Sequence, residues 1–155
     1  MTKKYRAKKG AWFGKEKAQI YGERLEELGK KENITAEVVV EDAKSISSPL
    51  HEVFDWDDKV EANQWRLHKA RMLINHIEVE IITSNEAPRY VQANISLASQ
   101  EGYMSATKVL SNTEYRMEWI RQALEEADLW QTRYHDYKEL SAIFSAIDKT
   151  KKKLK

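Results

Sequence analysis

Ile120, Ala123, Ala127, Trp130, Tyr134, Tyr137, Phe144 and Ile147 recur at helical spacings through the last third of the chain, with Leu124, Leu140 and Ile143 beside them. Such a stripe fits an α-helix and not a strand, whose two faces alternate residue by residue. Asn112 stands ahead of the run as an N-cap. Some 35 residues in one helix would span about 52 Å at roughly 1.5 Å per residue. A break is therefore predicted near Tyr134 to Tyr137.

The same reasoning places the earlier elements. Ala18, Tyr21, Leu25 and Leu28 give a helix from about Lys15 to Lys31, stopped by Gly29 and Asn33. Thr35 caps a short second helix with Val39, Ala43 and Ile46 on its apolar side. Its capping box is incomplete, because Val38 stands where a glutamate or glutamine belongs. Pro49 suits the first turn of a further short helical segment capped by Ser47 or Ser48. Asp57 or Asp55 then caps a long helix to about His76, with Val60, Asn63, Leu67, Ala70, Leu73, Ile74 and Ile77 on its inner face. After it the period changes to that of strands. Residues 78–83 and 90–95 alternate or run apolar around Ser84-Asn85-Glu86-Ala87-Pro88, which reads as a hairpin, and Gly102 to Leu110 offers a third short strand or an irregular segment. The expected class is α+β and predominantly helical: several helices, a small antiparallel hairpin or three-stranded sheet, and a long C-terminal helix. At 155 residues one domain suffices. It is placed at 15–147, between a basic aromatic arm at 1–14 and a basic tail at 148–155.

Charge is distributed unevenly. Residues 1–17 hold seven basic residues against one acidic, a net +6, and residues 148–155 hold five against one, a net +4. The body between them holds 14 against 23, a net −9. The first segment interleaves Tyr5, Trp12 and Phe13 with Lys3, Lys4, Arg6, Lys8, Lys9 and Lys15, and the tail adds Lys151, Lys152 and Lys153. Cations follow a phosphate backbone by releasing counterions, and aromatic rings stack on unpaired bases. These twelve residues are the expected nucleic-acid contacts. The competing readings are solvated ends, or arms that meet the acidic body of a second copy.

Other chemistry finds little support. Without cysteine the chain has no disulfide, thiol nucleophile or cysteine-ligated zinc, which suits a reducing cytoplasm. No apolar run approaches the roughly 18 residues of a membrane span, and no apolar segment follows the first lysines as a secretory signal requires. His51, His68, His76 and His135 lack metal-site spacing, and no phosphate-cradling glycine loop or GxSxG is present. Residues 34–44 resemble the second helix of a helix-turn-helix in length. However, Glu37, Glu41 and Asp42 against a single Lys44 would repel phosphate. No catalytic residue, metal or cofactor is expected, and the protein is read as not an enzyme.

The stretch SSPLHEVFDWDDKVEANQWR, residues 47–66, concentrates Glu52, Asp55, Asp57, Asp58 and Glu61 around Trp56. Clustered carboxylates suit a hard cation. Aspartates at a helix start also accept from free N–H groups and oppose the macrodipole, and Phe54 and Trp56 alternate with the acids so that the rings can be buried. The second reading makes the stretch a structural joint of Pro49, His51, Phe54, Trp56, Asp57 and Asp58. Arg66 and Arg71 either meet acids near the Pro49 turn or face water.

Ser48, Pro49, Leu50, His51, Phe54, Trp56, Asp57 and Asp58, followed by Arg66, Ala70, Arg71, Leu73 and Ile74, resemble the pattern of small phage and prophage proteins of uncharacterised function that share an SPLHxxFxWDD motif. The resemblance runs from the Ala18-Gln19 helix to the tyrosine-rich C-terminal helix. It implies a phage context in a bacterial host's cytoplasm and no particular activity. The resulting expectation is a non-enzymatic phage-type protein contacting nucleic acid through its basic N-terminal arm, with salt-sensitive, weakly selective binding. The alternative is a protein–protein, assembly or regulatory module, a homo-oligomer or a partner of another phage protein, acting through the acidic helical body.

Overall fold

Ala18, Tyr21 and Leu25 turn inward together as α1 (Lys15–Gly29), the first helix of a computed structural model that describes residues 3–57, 60–82 and 87–154, and of residues 60 and 61 the backbone alone. The chain divides into two units, Met1–Val109 and Leu110–Lys155. This differs from a single domain at 15–147 flanked by a free arm. The first unit holds every buried apolar side chain among the described residues.

In that unit α1 is followed by α2 (Ala36–Ala43), capped by Thr35, whose hydroxyl accepts from the Val38 N–H (3.2 Å). A 3-10 turn at His51–Val53 leads to α3 (Val60–Asn75). Arg66, Ala70, Leu73 and Ile74 form the buried side of α3, continued by Ile77. Asn63, expected on that side, is exposed, and Ile46 lies beyond the end of α2 and is exposed. Residues 58 and 59, between Asp57 and the start of α3, lie outside the described residues.

The predicted hairpin forms as β2 (Ile77–Ile81) and β3 (Arg89–Gln92), antiparallel, with Val79 opposite Val91; residues 83–86 between them lie outside the described residues. The third strand of this sheet comes from the expected arm. Tyr5–Ala7 is β1, antiparallel to β2 with Tyr5 opposite Val79. The cause is one side chain. Tyr5 is buried against α1 where Gly22 lacks a side chain, and a Cβ on Gly22 would stand only 2.3 Å from Cγ of the Tyr5 ring. Its hydroxyl donates to Glu26, which also receives Lys3 (2.9 Å). Burial, then the bond to Glu26, pushes the Tyr5 phenol well above its ordinary range. The outer edge of β1 is occupied: Gln19 accepts from the Tyr5 N–H (2.9 Å) and donates to the Lys3 carbonyl (2.7 Å), which blunts the edge against pairing with another strand.

A second small sheet joins β4 (Asn94–Ile95) to β5 (Met104–Ser105). Beside it Ile34 and Tyr103 exchange both backbone bonds (2.9 and 2.7 Å). Gly102 makes this approach possible, with φ +77° and the Ile34 carbonyl where a Cβ would stand. The unit ends within α4 (Ala106–Ser111), at the fully buried Val109.

The second unit is a helical hairpin, α5 (Thr113–Tyr134) and α6 (Ser141–Lys153), with a 3-10 turn at Lys138–Leu140 between them. Asn112 caps α5 by accepting from the Tyr115 N–H (3.0 Å). The predicted break falls at Tyr134, where helix gives way to the turn.

Two carboxylates tie the first unit together. Burial works to raise Asp42, but hydrogen bonds from Arg24 (3.1 Å) and Ser48 (2.6 Å) outweigh it and hold the carboxyl below its ordinary value of 3.8. Burial likewise works to raise Glu26, and the bonds from Tyr5 and Lys3 hold it below 4.5. The folded chain thus binds fewer protons than the unfolded one in this range. The stability both groups contribute is complete above their ordinary values and is lost as pH falls through the depressed folded ones. Urea midpoints measured down the pH scale are expected to start falling near pH 4.5, and Glu26→Gln with Asp42→Asn to flatten that fall. Gly22→Ala is expected to lower unfolding free energy by about 1–3 kcal/mol through overpacking. Gly14→Ala, where a Cβ meets nothing within 4 Å, should change it by only a few tenths.

Candidate nucleic-acid interface

The acidic stretch resolves as a joint between α2 and α3. Ser48 accepts from the Leu50 N–H (3.1 Å) and closes the turn that contains Pro49. His51 donates from Nδ1 to the Ala43 carbonyl (2.8 Å), satisfying a group left open at the end of α2. Trp56 lies parallel to the His51 ring (5.2 Å, 7°) and donates from Nε1 to the His51 carbonyl (3.0 Å). Buried Phe54 meets Trp56 edge-on at 5.9 Å. Arg66, itself buried, places its guanidinium over the Trp56 ring (4.8 Å) and donates to the Asp55 carbonyl (2.8 Å).

Asp55 accepts from the Asp57 N–H (3.1 Å), and Asp57 is exposed. Glu52 is taken by Lys17 and by the Tyr21 hydroxyl (3.1 Å). Burial, then that bond, raises the Tyr21 phenol to about 12. Asp58 and the Glu61 side chain lie outside the described residues. Among the described residues no three histidine or acidic side chains gather as a metal-holding group. Of the two arginines, Arg66 belongs to the joint and Arg71 is exposed.

The basic residues expected on an arm separate into two sets. Lys3 pairs with Glu26 (2.9 Å), Lys4 with Glu80 (3.5 Å) and Arg6 with Glu78 (2.6 Å), and Arg6 also covers the Tyr90 ring (4.1 Å). Burial removes Tyr5 from any stacking role. Lys8, Lys9 and Lys15 are exposed, and among the described residues no carboxylate pairs with them. In the tail Lys151 pairs with Asp128, whereas Lys152 and Lys153 are exposed at the end of α6.

The free set does not stand alone. Lys8 donates its N–H to the His76 carbonyl (2.8 Å), and Gly10 turns the chain at φ +92° to deliver Trp12 beside the His76 ring (5.9 Å). Phe13 packs edge-on between Trp12 (5.1 Å) and Tyr21 (5.4 Å), anchoring the loop. His76 continues the helical bonding of α3, giving its N–H (3.0 Å) and its Nδ1 proton (2.7 Å) to the Met72 carbonyl.

Trp65, His68, Met72 and His76 therefore follow one another along the outer side of α3, opposite Arg66, Ala70 and Leu73. Trp65 is 59% exposed and lies against His68 (5.3 Å, 28°), while Trp12 at the other end is 44% exposed. Eleven residues of helix separate the two ends by about 16 Å. Between Ala62 and Ile77 the sequence contains no carboxylate, and Lys69 and Arg71 add their charges there without an ion-pair partner among the described residues. Sequence reasoning missed Trp65, His68, Lys69 and His76 as a group. The signal was that carboxylate-free run inside a body of net −9.

The chain matches no protein-family model, no curated protein and no solved structure. Among the described residues no helix is long and apolar enough to cross a membrane.

The two arginines of α3 separate the joint from the ridge experimentally. Arg66→Ala removes a cation–π contact and a charged hydrogen bond from a buried position and is expected to cost about 2–3 kcal/mol in chemical unfolding. Arg71→Ala should stay within about 0.5 kcal/mol, as an exposed substitution does.

Proposed function

We propose that this is a non-enzymatic, phage-type protein that contacts nucleic acid along the ridge formed by the β1–α1 loop and the outer side of α3. Lys8, Lys9, Lys69 and Arg71 would meet phosphates, and Trp12 and Trp65 would stack on unpaired bases. The observation that carries this reading is the pairing of two exposed indoles with cations that have no ion-pair partner among the described residues, along two segments, residues 3–15 and 62–77, whose sequence contains no carboxylate. It keeps part of the expected arm and moves the centre of the contact onto α3. A second reading is a protein assembly module, supported by the helical hairpin, none of whose side chains in α5 or α6 is buried.

Fluorescence anisotropy with labelled single- and double-stranded DNA at two salt concentrations tests the first reading. Single-stranded binding is expected to weaken with salt, and Lys8→Ala with Lys9→Ala to reduce the slope of log affinity on log salt by about 1.4, at roughly 0.7 per phosphate contact. Trp12→Ala and Trp65→Ala should each weaken single-stranded binding about tenfold, within the range of one lost base stack. Absence of binding to either form at low salt would overturn the reading and leave the assembly module in its place.

A further inference from the structure

The hairpin of the second unit is apolar on more than the side where its two helices meet. Trp130 packs on Phe144 (5.7 Å) and Tyr134 (5.4 Å), and Lys151 bridges to Asp128, so one face of each helix is used within the hairpin. Yet neither helix contains a buried residue, and Leu129, Tyr137 and Ile143 are 70%, 59% and 48% exposed. Two helices cannot enclose a core between them, and a 13-residue helix such as α6 is marginal without tertiary packing. Apolar area left open in this way marks an interaction surface.

Charge indicates which partner fits. α5 has five acidic residues against three basic, and α6 has four basic against one acidic. Over Leu110–Lys155 the totals nearly cancel, nine basic to eight acidic. A partner of one strong sign would attract one helix and repel the other. A second copy of the same hairpin suits both at once, with α5 lying along the partner's α6. On α6 the exposed Ala142 and Ala146, four residues apart, let a neighbouring helix approach closely, and Lys149 and Lys153 continue the same edge. On α5 Glu125 and Glu126 are exposed and offer the opposite sign.

We infer that the Leu110–Lys155 hairpin is half of a four-helix bundle, completed by the same hairpin of a second chain with α5 against α6 across the interface. Such bundles form around apolar stripes, and charges flanking the stripe select partner and orientation. This inference stands independently of the nucleic-acid reading, and its test contains no nucleic acid.

The test is sedimentation equilibrium of the full chain and of two charge-reversal variants, Glu125→Lys with Glu126→Lys, and Lys149→Glu with Lys153→Glu. The unaltered chain is expected to be a dimer. Each variant alone places like charges across both contacts and should associate at least about tenfold more weakly. An equimolar mixture of the two variants restores opposite charges at both contacts and should recover dimer. Far-UV circular dichroism verifies that both variants keep their helix content. A monomeric parent chain, variants that dimerise as well as the parent, or a mixture of folded variants that stays monomeric would each overturn the inference.

Discussion

Burial of Tyr5 in the notch left by Gly22 is the contact on which the first unit's arrangement depends. The ring needs a place on α1 without a Cβ, and the hydroxyl needs an acceptor one helical turn further along, which Glu26 supplies. With that ring fixed, strand alternation sends Lys4 and Arg6 to the other face, where Glu80 and Glu78 of β2 wait for them. Gln19 then takes the outward N–H of Tyr5 and the carbonyl of Lys3. One aromatic side chain thereby commits four neighbouring basic and polar groups to the fold, and among the described residues the first cation of this segment without an ion-pair partner is Lys8.

Carboxylates in this unit compensate specific partners more than they make a uniformly acidic surface. Glu26, Asp42, Glu52, Glu78 and Glu80 each have a cationic or hydroxyl neighbour within the unit. Asp42 is bound from two sides, by Arg24 of the preceding helix and by Ser48 of the following turn. That same side chain was a reason to doubt groove reading by α2, and its position confirms only that it is occupied within the fold. The net charge of the body is thus a poor guide to any one patch, and the outer side of α3 differs in sign from the average around it.

Much of the fold was legible because apolar period and capping are local properties. The helices from Lys15 and Asn112, the Thr35 cap, the pairing of β2 with β3 and the break at Tyr134 all follow from residues within a turn or two of one another. What was not legible depends on contacts distant in sequence. Nothing near Tyr5 announces that Gly22 is its socket or that Val79 is its strand partner, so a three-residue edge strand inside a lysine-rich run read as an arm. The inner face of α3 was misjudged at Asn63 for a related reason. Arg66 is buried because Trp56 and the Asp55 carbonyl receive it, and a hydrophobic stripe drawn from sequence has no place for a buried arginine. The ridge remained hidden because its aromatic residues come from two segments far apart in sequence, which meet where Lys8 bonds to His76 and Trp12 lies beside its ring.

Adjacent residues on α3 carry opposite duties, and this has a consequence for how a strand would lie. Arg66 faces inward and is spent on Trp56, so its charge is screened from solvent by the joint, while Trp65 next to it is open. Of the basic residues along α3, Lys69 and Arg71 have no ion-pair partner among the described residues, and in the proposed reading they would meet phosphate together with the exposed Lys8 and Lys9. In that reading the contact would run over a strip roughly 16 Å long, the rise of α3 from Trp65 to His76. Exposed carboxylates of the same unit, such as Glu37, Glu41 and Asp57, would repel a polyanion. If the proposed reading holds, the strip would select by confinement: a flexible single strand could bend to stay on it and use both indoles, whereas a stiff duplex would have to carry part of its backbone out over the acids.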